Sequence, residues 1–420
     1  MHYDIICVGA GAANLFFLLR LIDLNKDQKY KILLIEQGKE PTLNAAVGKT
    51  FGGLGLTSDC KVVLSSSTGG DIENFISQEK IKKLEEEFLE LIRKYFYIDE
   101  KGQFKYTENL PIIYPKQINL DTKFEIVSNK VLHLGTEFGQ SFVINLFKMF
   151  KANPNITIKL NSKVTDIKRN KNKLFTIEIN NNEYLEGNII IYAPGKLGTP
   201  LTKKLIKNLG IDSYSKPPQI GVRVEVPYEV TKKLTDIFYD FKLKLKSLDG
   251  ETRSFCVSPK GKVIKEIFFN CITYNGGSYK NKQTDKTNFG ILFSPFQYEE
   301  SDGFYYQLKI AEEANKKLKY LNPVSFKEWK NNQDIKEIFK QFNVYNNITA
   351  WMEEFENICP TFLEKVFIYI PEIKYSTENI FLNDKLVTNI SNLYMIGDCS
   401  YARGLYQSFL GGILIADNLL

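Results

Sequence analysis

Short β-branched runs alternate with longer apolar stretches of helical spacing along this chain, and that pattern divides it before any single residue is considered. Residues 5–8 form an apolar run that meets Gly9-Ala10-Gly11-Ala12-Ala13-Asn14 and continues apolar to Asp23. A second run over 31–35 ends at Glu36. A strand, a glycine turn, a helix and a second strand are predicted there. Further on, Ile81, Leu84, Phe88, Leu91, Ile92 and Tyr95 share one helical stripe, so a core-packing helix is expected from near Ser77. Residues 164–167, 174–179 and 183–185 alternate as strands, and 189–192 runs apolar into Ala193-Pro194-Gly195. The segments GVRVEVP, RSFCVSP, KEIFFNCI and NFGILFS predict strands in a second region, followed by Lys-rich helices over 305–355. Near the end, NLYMIGDCSYARGLYQSFLGGILIA reads as a buried strand that breaks at Gly397-Asp398 and resumes as a helix.

The first of these units has the form of a dinucleotide-binding βαβ motif. Gly9 makes the tight turn, Gly11 lets the backbone approach a pyrophosphate, and the start of the helix, including Ala12, supplies positive potential. Glu36 lies about 20 residues beyond the glycines, at the tip of the second strand, where it can accept hydrogen bonds from a ribose diol. Asn14 stands where the pattern usually has a third glycine, so helix-to-strand packing must accommodate a side chain. A plain tight turn would explain the glycines but not the acid.

Two later segments join this site by their pattern. The meander over 164–192 is similar to the three-stranded crossover of flavoproteins with two dinucleotide folds. That likeness puts Val164 against an adenine and Ala193 and Gly195 beside a diphosphate. In the same flavoproteins a late strand ends in Gly-Asp. Gly397 and Asp398 then hold the ribityl chain of FAD, and Gly404 and Leu405 open a helix that points its N-terminus at the flavin. A helix cap is the plainer account of Asp398. The stretch over 51–71, rich in Gly, Ser and Thr, reads as a loop that wraps the flavin, with Gly53 in contact. There is no second G-x-G-x-x-G, so NADH or NADPH, if used as a reductant, binds transiently.

With these motifs in hand the chain resembles the uncharacterised FAD-dependent dehydrogenase family related to glutathione reductase and p-hydroxybenzoate hydroxylase. The segments that carry the resemblance are GGLGLTSDCK, HLGTE, GVRVE, SFCVSPKG and GDCSYARGLYQSFLG, in that order. They are similar to the family's GG-x-G-x-x-SDGKL, HIGTD, GVRxE, FCxCPxG and GDGAGxxRGIxxAxxxG. Cys60, Ser258 and Cys399-Ser400 depart from it. The resemblance implies an α/β architecture: a discontinuous FAD-binding Rossmann-like domain over 1–75, 130–205 and 375–420, a helical insertion over 76–129, and an α+β substrate domain with a mostly antiparallel sheet over 206–374.

Composition narrows the rest. Fifty-five Lys and Arg against 49 Asp and Glu give +6, scattered without a basic stripe, so a solvated surface is expected and nucleic-acid binding is not. Six cysteines form no C-x-x-C pair, and with two histidines they suggest neither metal site nor disulfide framework. The first apolar run carries Asp4 and the glycine turn, which reads as a strand and not a leader. No membrane span is expected, and a cytoplasmic setting follows. Candidate chemical groups are few. His133 either orients substrate or flavin or is structural. Arg223 and Glu225 form an intrastrand pair or a clamp for a substrate carboxylate. Arg403, at the start of the closing helix, can face the flavin edge or an anionic substrate. The expected function is FAD-dependent hydride transfer to or from a small organic molecule, with a flavin monooxygenase and a non-catalytic flavin-binding protein as alternatives. Substrate and oligomeric state are not legible in the sequence.

Overall fold

The computed structural model describes residues 1–43, 50–99, 103–116, 120–279, 281–298, 303–318, 323–375 and 378–419. The chain divides into two compact units, one of residues 1–112, 132–214 and 377–420 and the other of 113–131 and 215–376. The insertion expected over 76–129 is thereby split, because its helix belongs to the first unit and its last part to the second. Residues 206–214, expected in the second region, lie in the first.

The first unit is built on β1 (His2–Val8), α1 (Ala12–Asp23) and β2 (Ile32–Ile35). A short helix, α2 (Gly53–Thr57), and a strand, β3 (Lys61–Leu64), follow. Next come α3 (Gln78–Tyr95), β4 (Lys130–His133), whose first two residues are assigned to the second unit, α4 (Thr136–Ala152) and β5 (Ile156–Lys159). The meander is β6 (Val164–Arg169), β7 (Phe175–Ile179) and β8 (Glu183–Tyr192), after which comes α5 (Thr199–Leu209). The chain returns from the second unit as β9 (Leu393–Met395) and α6 (Leu405–Asn418). Glu183–Tyr192 is one continuous strand, where the pattern suggested two.

The parallel strands lie in the order β9-β8-β1-β2-β5, and β6 and β7 extend the sheet antiparallel from the first half of β8. Side chains alternate across this sheet, since successive residues of a strand point to opposite faces. Ile5, Cys7, Ile32 and Leu34 join the core that holds α1, α3, α4 and α6, whereas Ile6, Val8, Leu33 and Ile35 pack with the meander and α5. The predicted stripe on α3 is buried at Ile81, Leu84, Phe88, Leu91 and Ile92, and Ser77 caps the helix by accepting from Lys80 N. The stretch over 51–71 is not all loop. It contains α2 and β3, whose Val62 and Leu64 are buried.

The second unit holds a mostly antiparallel seven-stranded sheet, with Gln219–Pro227 paired to Lys286–Pro295 on one side and to Phe367–Lys374 on the other. KEIFFNCI, expected as one strand, is a hairpin. Lys262–Phe268 and Cys271–Gly277 pair across a two-residue turn in which Phe269 and Asn270 have φ of 50° and 63°. Positive φ at both central residues twists the turn in the same sense as the strands. Trp329 and Trp351, the only tryptophans of the chain, are both fully buried in this unit.

Within the first unit α1 and α6 meet backbone to backbone. A Cβ added at Gly412 would lie 2.2 Å from Ala13 O and 2.8 Å from Phe17 N. The small residue that permits close packing of α1 is thus on α6, not at position 14. Gly412→Ala is expected to force the two helices apart and cost about 1–3 kcal/mol. Thermal unfolding followed by far-UV circular dichroism tests this, and an unchanged midpoint would mean that the helices have room to give.

Candidate functional site

The strand order reverses at β1, with β2 and β5 built on one side and β8 and β9 on the other. In an open α/β sheet such a reversal leaves a crevice at the carboxyl ends of the strands. Three chain turns meet at that edge.

The first is the turn after β1. Gly9 has φ +90°, and a Cβ there would stand 2.5 Å from Ala193 O and 2.9 Å from Pro194 Cα. Its N–H donates to Ile35 O at 2.8 Å. Gly11 is different. It is the N-cap residue of α1 with extended backbone, and no described atom lies within 4 Å of a Cβ built on it. No side chain caps α1 and no acid stands in its first turn, so the first N–H groups of the helix have no side-chain cap. Gly53 stands beside this opening, its own Cβ position 3.1 Å from Gly11 Cα.

Asn14 is fully buried, and its amide nitrogen donates to Gly9 O at 2.7 Å and Val8 O at 3.0 Å, with Ile191 O at 3.4 Å. The side chain that replaces the third glycine therefore ties the ends of β1 and β8 together. Its Oδ1 has no partner among the described residues.

Glu36 ends β2 and is buried. One carboxylate oxygen accepts from Ala10 N at 2.8 Å and the other from Gly38 N at 2.7 Å. Burial raises its pKa, opposed by the backbone N–H groups of Ala10, Gly38 and Gln37. Each oxygen retains a lone pair for a further donor. Val164 opens β6, buried in the core shared with Val8 and Ile35.

The second turn follows β8. Ala193 N donates to Val8 O at 2.9 Å, which fixes the 193–195 turn against Gly9. Gly195 has φ +65° and, like Gly11, no described atom within 4 Å of an added Cβ. A left-handed residue with empty space beside it is suited to the approach of a ligand to the backbone.

The third turn follows β9. Gly397 has φ +75° and begins a 3-10 turn that includes Asp398 and lies against Ala13, 3.7 Å from an added Cβ. Arg403 follows, half-buried. Its Nη1 donates to Asp398 O at 3.4 Å and its N–H to Gly69 O at 2.8 Å. Burial lowers the pKa of its guanidinium, opposed by Asp398 and Asp71. Gly404 is the N-cap residue of α6, again without a side-chain cap, and Leu405 lies over Gly55, where a Cβ would meet its Cδ2 at 2.6 Å.

Gln407 is a residue that the sequence reading missed. Fully buried, it donates to Ser66 O at 2.8 Å and accepts from Ile72 N at 3.0 Å, and so fastens the Ser-Thr-Gly-Gly loop to the first turn of α6. Gly70 has no room for a side chain because Gln407 Oε1 would be 2.3 Å away. Asn379 is a second missed residue, its amide nitrogen 3.2 Å from Asp71 Oδ2 and 2.6 Å from Tyr214 Oη. A lone glutamine inside an apolar helix was the available signal for the first. Nothing local marks the second.

The structure does not bring all the candidates together. His133 ends β4 and is buried there; the next residue, Leu134, donates its N–H to Cys60 O at 3.2 Å. Arg223 lies in the other unit with no exposed surface. Its Nε donates to Asn288 Oδ1 at 2.9 Å, its Nη2 to Cys256 O at 2.8 Å, and its Nη1 lies 3.4 Å from Glu372 Oε2. Glu225 pairs instead with Lys286 at 3.0 Å and accepts from Tyr369 at 3.2 Å. Neither an Arg223–Glu225 pair nor an open carboxylate clamp is present. Sequence alternation put both side chains on one face, but the cross-strand neighbours supplied different partners. A Cβ at Gly276 would stand 1.9 Å from Arg223 Nη2 and one at Gly290 would stand 2.7 Å from Glu372 Oε2, so two glycines make the space for this ion pair. Cys7 and Cys399 are fully buried, and burial raises both thiols above the usual range, which keeps them in the unreactive neutral form. Among the described residues no His, Cys, Asp and Glu cluster fits a metal ion, and no helix is long and apolar enough to cross a membrane.

No family model matches this chain, and no curated protein matches it. Solved structures do share its course at low identity. CtdE in complex with FAD is 13% identical, with 100% of this chain and 85% of that one covered at a TM-score of 0.40. PqsL of Pseudomonas aeruginosa, described as a probable FAD-dependent monooxygenase, is 11% identical over 99% and 85% of the two chains at 0.43. A geranylgeranyl bacteriochlorophyll reductase-like protein of Thermoplasma acidophilum is 12% identical over 99% and 77% at 0.44.

Arg223→Met removes one member of a buried ion pair and leaves Glu372 with Lys374 alone, 3.5 Å away, at a cost of up to about 3–5 kcal/mol. Urea unfolding followed by tryptophan fluorescence reads this directly, because both tryptophans lie in the same unit. A loss below about 1 kcal/mol would indicate that the pair is solvated.

Proposed function

We propose that the chain is a flavin-dependent oxidoreductase that binds FAD along the carboxyl edge of its parallel sheet. The observation that carries this reading is the contrast between two glycines of one turn. Gly9 is required by the fold, since any side chain there strikes the 193–194 backbone, whereas Gly11 faces space that no described atom fills. A glycine whose Cβ would meet nothing, at an uncapped helix N-terminus and next to the similarly open Gly195, is accounted for by a ligand lying against the backbone. An anionic pyrophosphate fits the positive end of α1.

The remaining residues suit the two ends of such a ligand. Glu36, held by two backbone N–H groups, would accept from the adenosine ribose, and Asp398 from the ribityl hydroxyls. Arg403 and the N-terminus of α6 would place positive potential at the flavin pyrimidine, where negative charge collects on reduction. The flavin supplies electron and hydride transfer when bound. What the chain contributes is binding, orientation and that positive end. A dehydrogenase acting on a small organic molecule is the finer reading. Anaerobic mixing with NADH or NADPH, then oxygen, tests it: bleaching followed by slow recovery of colour is expected, whereas rapid, substrate-dependent recovery would favour a monooxygenase. A protein that no donor bleaches would leave the non-catalytic binding reading ahead.

Purified protein is expected to be yellow and to release FAD, not FMN, on denaturation. Gly11→Val should abolish flavin retention while leaving the circular dichroism spectrum unchanged, because the added side chain meets ligand space and not protein. Unaltered flavin content would refute a pyrophosphate at this turn.

Asp398→Ala and Arg403→Ala separate binding from tuning. The first removes a charge-assisted hydrogen bond of about 1.5–3 kcal/mol and should weaken FAD binding roughly tenfold to a hundredfold. The second should retain flavin but shift its reduction potential to a more negative value, by loss of a cation beside the reduced ring. Equal loss of flavin in both variants would show that the two residues share one role.

A further inference from the structure

Far from the carboxyl edge, at the other end of α6, one guanidinium faces three carboxylates from three helices. Arg20 on α1 has Nε 2.8 Å from Asp417 Oδ1 on α6, Nη2 3.2 Å from Glu87 Oε1 on α3, and Nη1 3.5 Å from Asp23 Oδ2 on its own helix. Asp23 is further occupied by Lys94 Nζ and Tyr95 Oη, each at 3.1 Å. Lys26 reaches the last carbonyls of α6 at Ala416, 3.4 Å, and Asp417, 3.3 Å.

Glu87 uses Oε1 for Arg20, but its Oε2 is buried and has no hydrogen-bond donor among the described residues. The Asp417 carboxyl is its neighbour on the same guanidinium, since Nε of Arg20 holds Asp417 Oδ1 and the adjacent Nη2 holds Glu87 Oε1. Two ionised carboxylates offer each other acceptors and no donor. A single proton between them completes both. We propose that Glu87 and Asp417 share one proton, and that this proton clasps α3 to the C-terminal end of α6.

The charges around the pair allow this without forcing it apart. Arg20 faces both carboxyls, and Lys83, on the same helix as Glu87, and Lys26, at the end of α6, add positive charge. Burial and the Asp417 contact push Glu87 up to about 7, against the opposing pull of Arg20 and Lys83. Because this folded-state value lies above that of a free glutamate, the clasp is complete below about pH 4.5 and is lost as pH rises through about 7. Elsewhere α3 and α6 are joined by the Phe88–Phe409 stack at 5.2 Å and the Tyr406 hydroxyl on Glu85. Opening is thus confined to the far end of α6, while its N-terminus stays fixed by Gln407.

Hydrogen–deuterium exchange of the full-length protein at pH 5.5 and 8.5, corrected for intrinsic exchange, tests the clasp. Wild-type peptides from 412–419 should lose about tenfold or more in protection at the higher pH, where a one-unit pKa difference corresponds to a factor of 10. Peptides from the Trp329–Trp351 region of the other unit serve as the reference. Glu87→Gln supplies a permanent donor to Asp417 and should keep the protection of the low-pH state at both pH values. Asp417→Asn should flatten the pH dependence likewise, because the pair needs two carboxyls. A wild-type profile without pH dependence, or a Glu87→Gln profile that follows the wild type, would overturn the shared proton. None of these readings depends on bound flavin, so their failure would leave the cofactor assignment standing.

Discussion

Backbone contact between α1 and the closing helix is the constraint on which the rest of the first unit depends. The absence of a side chain at Gly412 lets the two axes approach until a Cβ would touch Ala13 O. Only at that separation does Gly397 come to rest on Ala13, and only then can the 397–398 turn share an edge with the Gly9–Gly11 turn. Close packing of this kind transmits position because a packed interior does not deform continuously. The ends of α6 serve different purposes under the same constraint: its N-terminus is pinned through Gln407 to the 65–72 loop, and its C-terminus rests on charged groups of α1 and α3.

Asn14 illustrates how one substitution in a motif is absorbed. A third glycine would bring helix and strand together by leaving nothing between them. Here the carboxamide fills that space and bonds three carbonyl oxygens at the ends of β1 and β8. The close approach is made instead where Ala13 and Phe17 of α1 lie against Gly412. Two strand ends and two helices are consequently fixed around one turn, which is the arrangement a rigid anion site needs.

The second unit uses polar groups in the opposite way. Arg223, Asn288 and Glu372 are buried in the sheet among glycines that give them room, and Ser258 Oγ and Asn288 Nδ2 remain without partners among the described residues. Charges taken this far from water are costly unless each is paired. Their geometry is that of a core that fixes strand register, and it removes Arg223 from the groups available to a substrate.

Much of the first unit was legible locally. Period-two and period-3.6 patterns gave β1, α1, β2, the meander and α3, and the positions of Gly9, Gly11, Glu36 and Gly397-Asp398 followed from the turns these elements require. Such features depend on neighbours a few residues apart, so the chain carries them in its order. What tertiary structure alone decided involves residues distant in sequence. Short apolar pieces hidden in a glycine-rich stretch became α2 and β3 because burial against α4 and β4 outweighed weak propensity. KEIFFNCI became a hairpin because cross-strand pairing, not composition, sets where a strand ends. Arg223 found Glu372 149 residues away, and Arg20 found Asp417 397 residues later. Alternation says which face a charge takes. Its partner, and so whether it binds a ligand or holds the fold, is fixed only when strands and helices are brought into register by packing.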